Sequence, residues 1–220
     1  MATHARIAPR SAATARARTW WAKAWVRAVE EAAYGEDDLR KGRALARAGR
    51  VGGITLESGR FLAAVEEGDD AFTVTGGLPV LDERGLTALT ETVAAESGRI
   101  AALLAGDLPH GLVEHAEEVG VELLPYGGEL ATRCTCEPWT DPCRHGIAVL
   151  QQLTWLVEAD PFVLLALRGL ERDALLARLH AATAGARRDG GEPDPDEVDL
   201  DVAAEAVRQA VGLLAELESP

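Results

Sequence analysis

The residues of this chain best suited to chemistry fall between positions 134 and 145. Cys134 and Cys136 form a C-x-C pair, and Cys143 and His145 follow six residues later as C-x-H. These are the only three cysteines in 220 residues. Three thiolates and one imidazole are the donor set of a closed, four-coordinate zinc site. Binding at such a site displaces protons from sulfur and fixes the local chain. In an extended strand, residues two apart share a face, so Cys134 and Cys136 can turn to one ion. Pro138, Asp141 and Pro142 favour a turn that brings the chain back. Asp141 and Pro142 read as an N-cap and first helical residue. Because positions i and i+2 diverge on a helix, Cys143 and His145 belong to the turn before it, with regular helix from about His145. Trp139 and Trp155 are expected to pack around the metal and keep it dry.

Competing chemistries fit less well. A disulfide leaves one thiol over, and nothing else suggests secretion. A Cys–His nucleophile pair, or a redox-sensing thiol at Cys143, leaves two neighbouring cysteines without a role. A catalytic zinc keeps an open position. Elsewhere there is no GxxxxGK[ST] loop, no dinucleotide-binding glycine fingerprint and no GxSxG elbow. No carboxylate pair stands out among the thirty-six acids, so a non-enzymatic protein is expected.

The pattern C-x-C, short gap, C-x-H, followed by the apolar run Gly146-Ile147-Ala148-Val149-Leu150, resembles the SWIM zinc finger. The family commonly has proline directly after the second cysteine. Here that position is Glu137, and proline follows at Pro138. Further stretches resemble a bacterial group of SWIM-finger proteins. They are Trp20-Trp21, Arg43-x-Leu45-Ala46-x-x-Gly49-x-Val51, Gly106-Asp107-Leu108-Pro109, Leu123-Leu124-Pro125, Asp160-Pro161-Phe162 and Leu167-Arg168-Gly169, across about residues 20–180. The resemblance implies a structural Zn2+ and a role in binding protein or DNA. Its expected partners are helicases, recombination factors or other DNA-handling machinery.

The charge is uneven. Residues 1–50 hold eleven Lys/Arg against five Asp/Glu, and the rest hold eleven against thirty-one, for a net charge of −14. Nucleic-acid affinity rests on basic side chains neutralising phosphates, so the bulk composition opposes a general nucleic-acid coat. A DNA contact confined to Arg40, Lys41, Arg43 and Arg47, with Arg133 and Arg144 beside the ligands, stays open. The alternative is a solvated basic face that balances the acidic remainder. No apolar run reaches the roughly 18–20 residues of a membrane span, and a cytoplasmic location is expected. No small-molecule substrate is evident.

The elements that must position the ligands read as α+β, mostly helical, with a small antiparallel meander. Residues 1–18 read as a flexible basic arm, although their Ala/Arg/Ser composition also resembles a transit peptide. An α+β region at 19–125 holds amphipathic helices at 20–33 and from about 36 to 49, then three strands at 51–56, 60–65 and 72–78. Helices follow from Asp82, at 99–104 and at 111–119, with a short strand at 121–124. The finger and its helix take 126–160. A helical extension covers 161–184, starting at Asp160-Pro161. An acidic Gly/Pro linker covers 185–197. A last helix at 198–217 carries Leu200, Ala203, Val207, Ala210, Leu214 and Leu217 as a docking seam.

Overall fold

The computed structural model describes residues 1–189. The linker from position 190 onward and the seam helix at 198–217 lie outside them. The chain divides into two units, Met1–Ala177 and Arg178–Pro220. Regions that the sequence divides into an arm, an α+β region and a finger form a single unit.

The described elements are, in order, strand β1 (Ala2–His4), helices α1 (Trp20–Ala32) and α2 (Glu36–Arg47), and strands β2 (Ile54–Glu57), β3 (Arg60–Glu67) and β4 (Asp70–Gly77). Helices α3 (Glu83–Ala94), α4 (Ser97–Leu104) and α5 (His110–Glu118) follow, then a single 3-10 turn (Gly127–Glu129) and strand β5 (Ala131–Cys134). Helices α6 (Arg144–Ala159), α7 (Pro161–Leu167) and α8 (Arg172–Asp189) complete them. The α+β class stands. The meander has five strands rather than three, in the order β1-β2-β3-β4-β5, all antiparallel. The extra strands flank the expected three. No strand forms at 121–124; the strand leading into the finger begins at Ala131.

The sheet alternates as a half-buried antiparallel sheet does. Ile54, Leu56, Phe61, Ala63, Val65 and Val74 are buried, while Leu62, Ala64, Thr73 and Thr75 face outward. Helix α6 packs on β3, β4 and β5 and also on α1 and α2. Twelve of its sixteen residues are buried, so it is the central helix of the core. Tryptophans of α1 are tied to it: the Trp25 indole N–H donates to Leu150 O at 3.1 Å and that of Trp21 to Val157 O at 3.0 Å. Both rings are almost fully covered. They are core residues, and burial with the polar edge satisfied accounts for them.

The basic arm is ordered by the body. Ala2, Thr3 and His4 pair with Leu56, Thr55 and Ile54. Arg6 forks onto the Glu66 carboxylate at 2.9 and 2.6 Å. Arg10 lies 4.4 Å over the Trp155 ring, whose N–H donates to Ala15 O at 2.9 Å. A composition without acid reads as an arm, but the acids and ring that hold it lie 60 to 145 positions away.

Helix boundaries follow local chemistry. Asp82 caps α3 by accepting from Gly85 N, and Asp160 caps α7 by accepting from Phe162 N, with Pro161 at the first position. Helix α8 runs to Asp189, so helix continues through 185–189 where a linker is expected. Where α2 crosses α6, Gly42 is the contact. A Cβ there would lie 2.6 Å from Ile147 Cγ2 and 2.7 Å from Arg144 O. Since a backbone carbonyl cannot rotate away, Gly42→Ala is expected to destabilise by about 1–3 kcal/mol through overpacking. Urea denaturation checks this; an unchanged midpoint would refute the close packing.

Candidate metal centre

Strand β5 delivers the first pair of ligands and the start of α6 the second. Pairing of Val74 with Cys134 and of Thr75 with Arg133 fixes β5 beside β4. Its last residue is Cys134, and Cys136 lies two further on, in the turn. At Glu137 the backbone takes φ +47°. Proline is locked near φ −65° and cannot adopt this conformation, which is a physical reason for the non-proline residue at 137 and the proline at 138. Asp141 and Pro142, joined by a cis peptide bond, do not cap the helix as the sequence suggests. Cys143 is the N-cap and Arg144 the first helical residue. The Asp141 carboxylate instead accepts from Thr132 N at 3.2 Å and from the Thr132 hydroxyl, closing the turn onto β5. Gly146 permits the close approach: a Cβ there would lie 2.7 Å from Thr132 Oγ1.

The four donors converge. Cys134 Sγ lies 3.5 Å from His145 Nδ1, and Cys136 Sγ lies 3.6 Å from Cys143 Sγ. All four donor atoms fall within 4.8 Å of one another. Zinc with bonds of about 2.3 Å to sulfur and about 2.0–2.1 Å to nitrogen sets tetrahedral donors about 3.5–3.8 Å apart. The site fits a metal ion of that size with small adjustment. His145 is fully buried and Cys143 is 4% exposed, while Cys134 and Cys136 are half-buried.

Two residues not singled out in the sequence complete the site. Glu67, the last residue of β3, accepts from His145 Nε2 at 2.9 Å and from Arg144 Nε at 2.8 Å. That contact leaves Nδ1 as the lone-pair nitrogen aimed at the sulfurs, the arrangement in which a carboxylate orients a metal-bound imidazole. Phe72 of β4 stacks on the imidazole, with centroids 4.3 Å apart and planes 16° off parallel. Neither carries a local signal: both sit in the β3–β4 hairpin, more than seventy positions from His145. The tryptophans expected here are elsewhere. Trp139 is fully exposed at the tip of the turn, and Trp155 packs against Arg10 and Ala15, more than two helical turns along α6 from His145.

Electrostatics at the site favour thiolate at one position. Burial pushes the Cys143 thiol up, but hydrogen bonds from His145, from Gly146 N–H and from Cys136 outweigh it and bring the group down to about 7. Burial and the neighbouring sulfurs push Cys136 far above the ordinary thiol range, and burial chiefly raises Cys134. Burial raises Glu67, but the Arg144 and His145 hydrogen bonds prevail and hold it below the usual carboxylate range. Glu67→Gln keeps the size of the side chain while removing the charge behind the imidazole. It is expected to weaken metal binding by about 10–100-fold, measured by competition with a chromophoric chelator. An unchanged affinity would remove Glu67 from the site.

The basic candidates scatter. Arg144 is committed to Glu67. Arg40 and Lys41 both pair with Asp37, at 2.5 and 2.6 Å. Arg43 pairs with Glu30. Arg47 and Arg133 make no ion pair among the described residues, and Arg133 projects from β5 into solvent. Much of the basic excess is therefore balanced locally. No described helix is long and apolar enough to cross a membrane.

Fold and site together define an α+β protein with a Cys3His cluster positioned to hold a metal ion. An uncharacterized protein of Mycobacterium tuberculosis, Rv2102, is 32% identical over 196 residues, which span 88% of this chain and 69% of that protein. The chain belongs to the family of Rv2102. No protein-family model matches it, and no solved structure does.

Proposed function

We propose that the chain is a zinc-stapled, non-enzymatic interaction module of the SWIM type, serving protein or DNA partners in DNA-handling machinery. The observation that carries this reading is the convergence of four protein donors within 4.8 Å, with a carboxylate orienting the histidine. Four protein ligands leave a tetrahedral ion no open position, which favours a structural over a catalytic metal. A role as thiol nucleophile or redox sensor is disfavoured, because Cys143, the most acidic thiol, is almost fully covered. Zinc joins the end of β5 to the start of α6 and so holds the turn between them, with Trp139 exposed at its tip.

Purified protein is expected to contain one zinc per chain by elemental analysis, and to lose protection of the finger on chelation. Metal-free protein in which one cysteine alone alkylates rapidly would reject the module in favour of a reactive thiol. Direct DNA binding, the second reading, is supported by Arg47 and Arg133 lacking ion-pair partners among the described residues. It predicts affinity that falls steeply with salt. No binding at low salt would exclude it.

A further inference from the structure

Away from the metal, a trough of about 1050 Å³ opens between residues 12–17, α1, α2 and the far part of α6. Its volume sits at the upper end of ligand sites. Ala15, Val26, Leu39 and the edge of Trp155 give it an apolar floor. Around it stand five cations, Arg16, Lys23, Arg40, Arg43 and Arg47, against two acids, Glu36 and Asp37. Those acids occupy the first turn of α2, where the helix dipole favours them, and Asp37 is already shared by Arg40 and Lys41. Arg16, Lys23 and Arg47 have no acidic partner among the described residues, in a chain with thirty-six acids to twenty-two Lys/Arg.

From this combination we infer that the trough is a docking groove for an acidic amphipathic helix of a partner protein. An apolar stripe at helical spacing fills such a floor, and flanking carboxylates meet the rim. A single nucleic-acid strand matches the site less well. Strand binding uses open aromatic faces on which bases stack, whereas Trp155 is 2% exposed, Arg10 covers its ring, and its N–H is spent on Ala15 O. The floor otherwise offers methyl groups, which give base edges no hydrogen bonds. The groove goes beyond the metal-stapled turn: its cationic rim comes from α1, α2 and the N-terminal segment, while α6 supplies Gln151 and Trp155.

The probe is a fluorescein-labelled designed helix with leucines at helical spacing and glutamates elsewhere, titrated with the full chain at low salt. Saturable binding is expected, with amide shifts confined to the trough residues. Both a glutamine-for-glutamate version of the peptide and the double variant Lys23→Glu/Arg47→Glu are expected to weaken binding by about tenfold or more. Lys23 is exposed and Arg47 half-buried, and neither makes an ion pair among the described residues; circular dichroism checks that the variant keeps the fold. An Arg60→Glu variant, on the sheet, is expected to bind as the parent does. Absence of binding, equal affinity for the two peptides, or tighter binding of a single-stranded oligonucleotide that the double variant abolishes would each overturn the assignment.

Discussion

Serine at position 136 is expected to abolish stoichiometric zinc binding and to open the segment from Thr132 to Leu153. A serine hydroxyl keeps its proton at neutral pH and offers a hard oxygen where the site has sulfur. Structural zinc sites supply about 10–16 kcal/mol of apparent binding free energy at pH 7 in small finger peptides, and that free energy is also folding free energy. Loss of one of four ligands removes a large share of it. Position 136 is half-buried, and the neighbours of its sulfur are the sulfurs of Cys134 and Cys143. Hydrogen exchange and limited proteolysis should show Cys136→Ser opening residues 132–153. Proteolysis there indistinguishable from the parent would defeat the structural role of the metal. The same site has a pH signature. Without metal, Cys134 and Cys136 hold their protons above the ordinary thiol range, so binding displaces protons and zinc loading falls as the pH is lowered.

The second large effect is expected at Arg168, far from the metal. Its guanidinium is 2% exposed. It clamps the Glu129 carboxylate at 2.9 and 2.7 Å and donates to Leu123 O, Leu124 O and Pro79 O at 3.0 to 3.3 Å. One side chain therefore holds the loops before α3 and before β5 against the end of α7. Arg168→Met leaves Glu129 buried without a counter-ion and three carbonyls without donors. The expected loss is about 3–5 kcal/mol, because removing one partner of a buried pair exposes the full desolvation cost of the other. Arg168→Lys restores charge but not the planar fork, and should recover only part of it. Chemical denaturation of the two variants decides the matter; a loss under about 1 kcal/mol for the methionine variant would show that the clamp is dispensable.

What local sequence could carry was the helices and the ligands. Asp82 and Asp160 announce helix starts through chemistry that acts within three residues. The C-x-C…C-x-H spacing pointed to the four donors because the turn that gathers them is itself local. Strand β1 escaped because three residues in a basic, Ala-rich stretch have no periodicity of their own; they become a strand only by pairing with β2, some fifty positions on. β5 was misplaced for a related reason: the apolar run at 121–124 looks more strand-like than Ala-Thr-Arg-Cys, yet the register with β4 settles the choice. Trp139 is expected from its residue type to pack around the metal, whereas the turn geometry throws it into solvent. Glu67 reads as a turn residue in its own neighbourhood. Only sheet topology makes it the hydrogen-bond partner of His145.

That topology bears on autonomy. A peptide cut to residues 126–160 carries all four donor side chains but neither the Glu67 carboxylate nor the Phe72 ring. The excised piece should therefore capture zinc less tightly than the intact protein and leave its histidine free to choose either tautomer. Where a transplantable finger would carry its whole support within its own loop, this cluster takes the carboxylate and the ring that back its histidine from a hairpin more than seventy residues earlier in the chain.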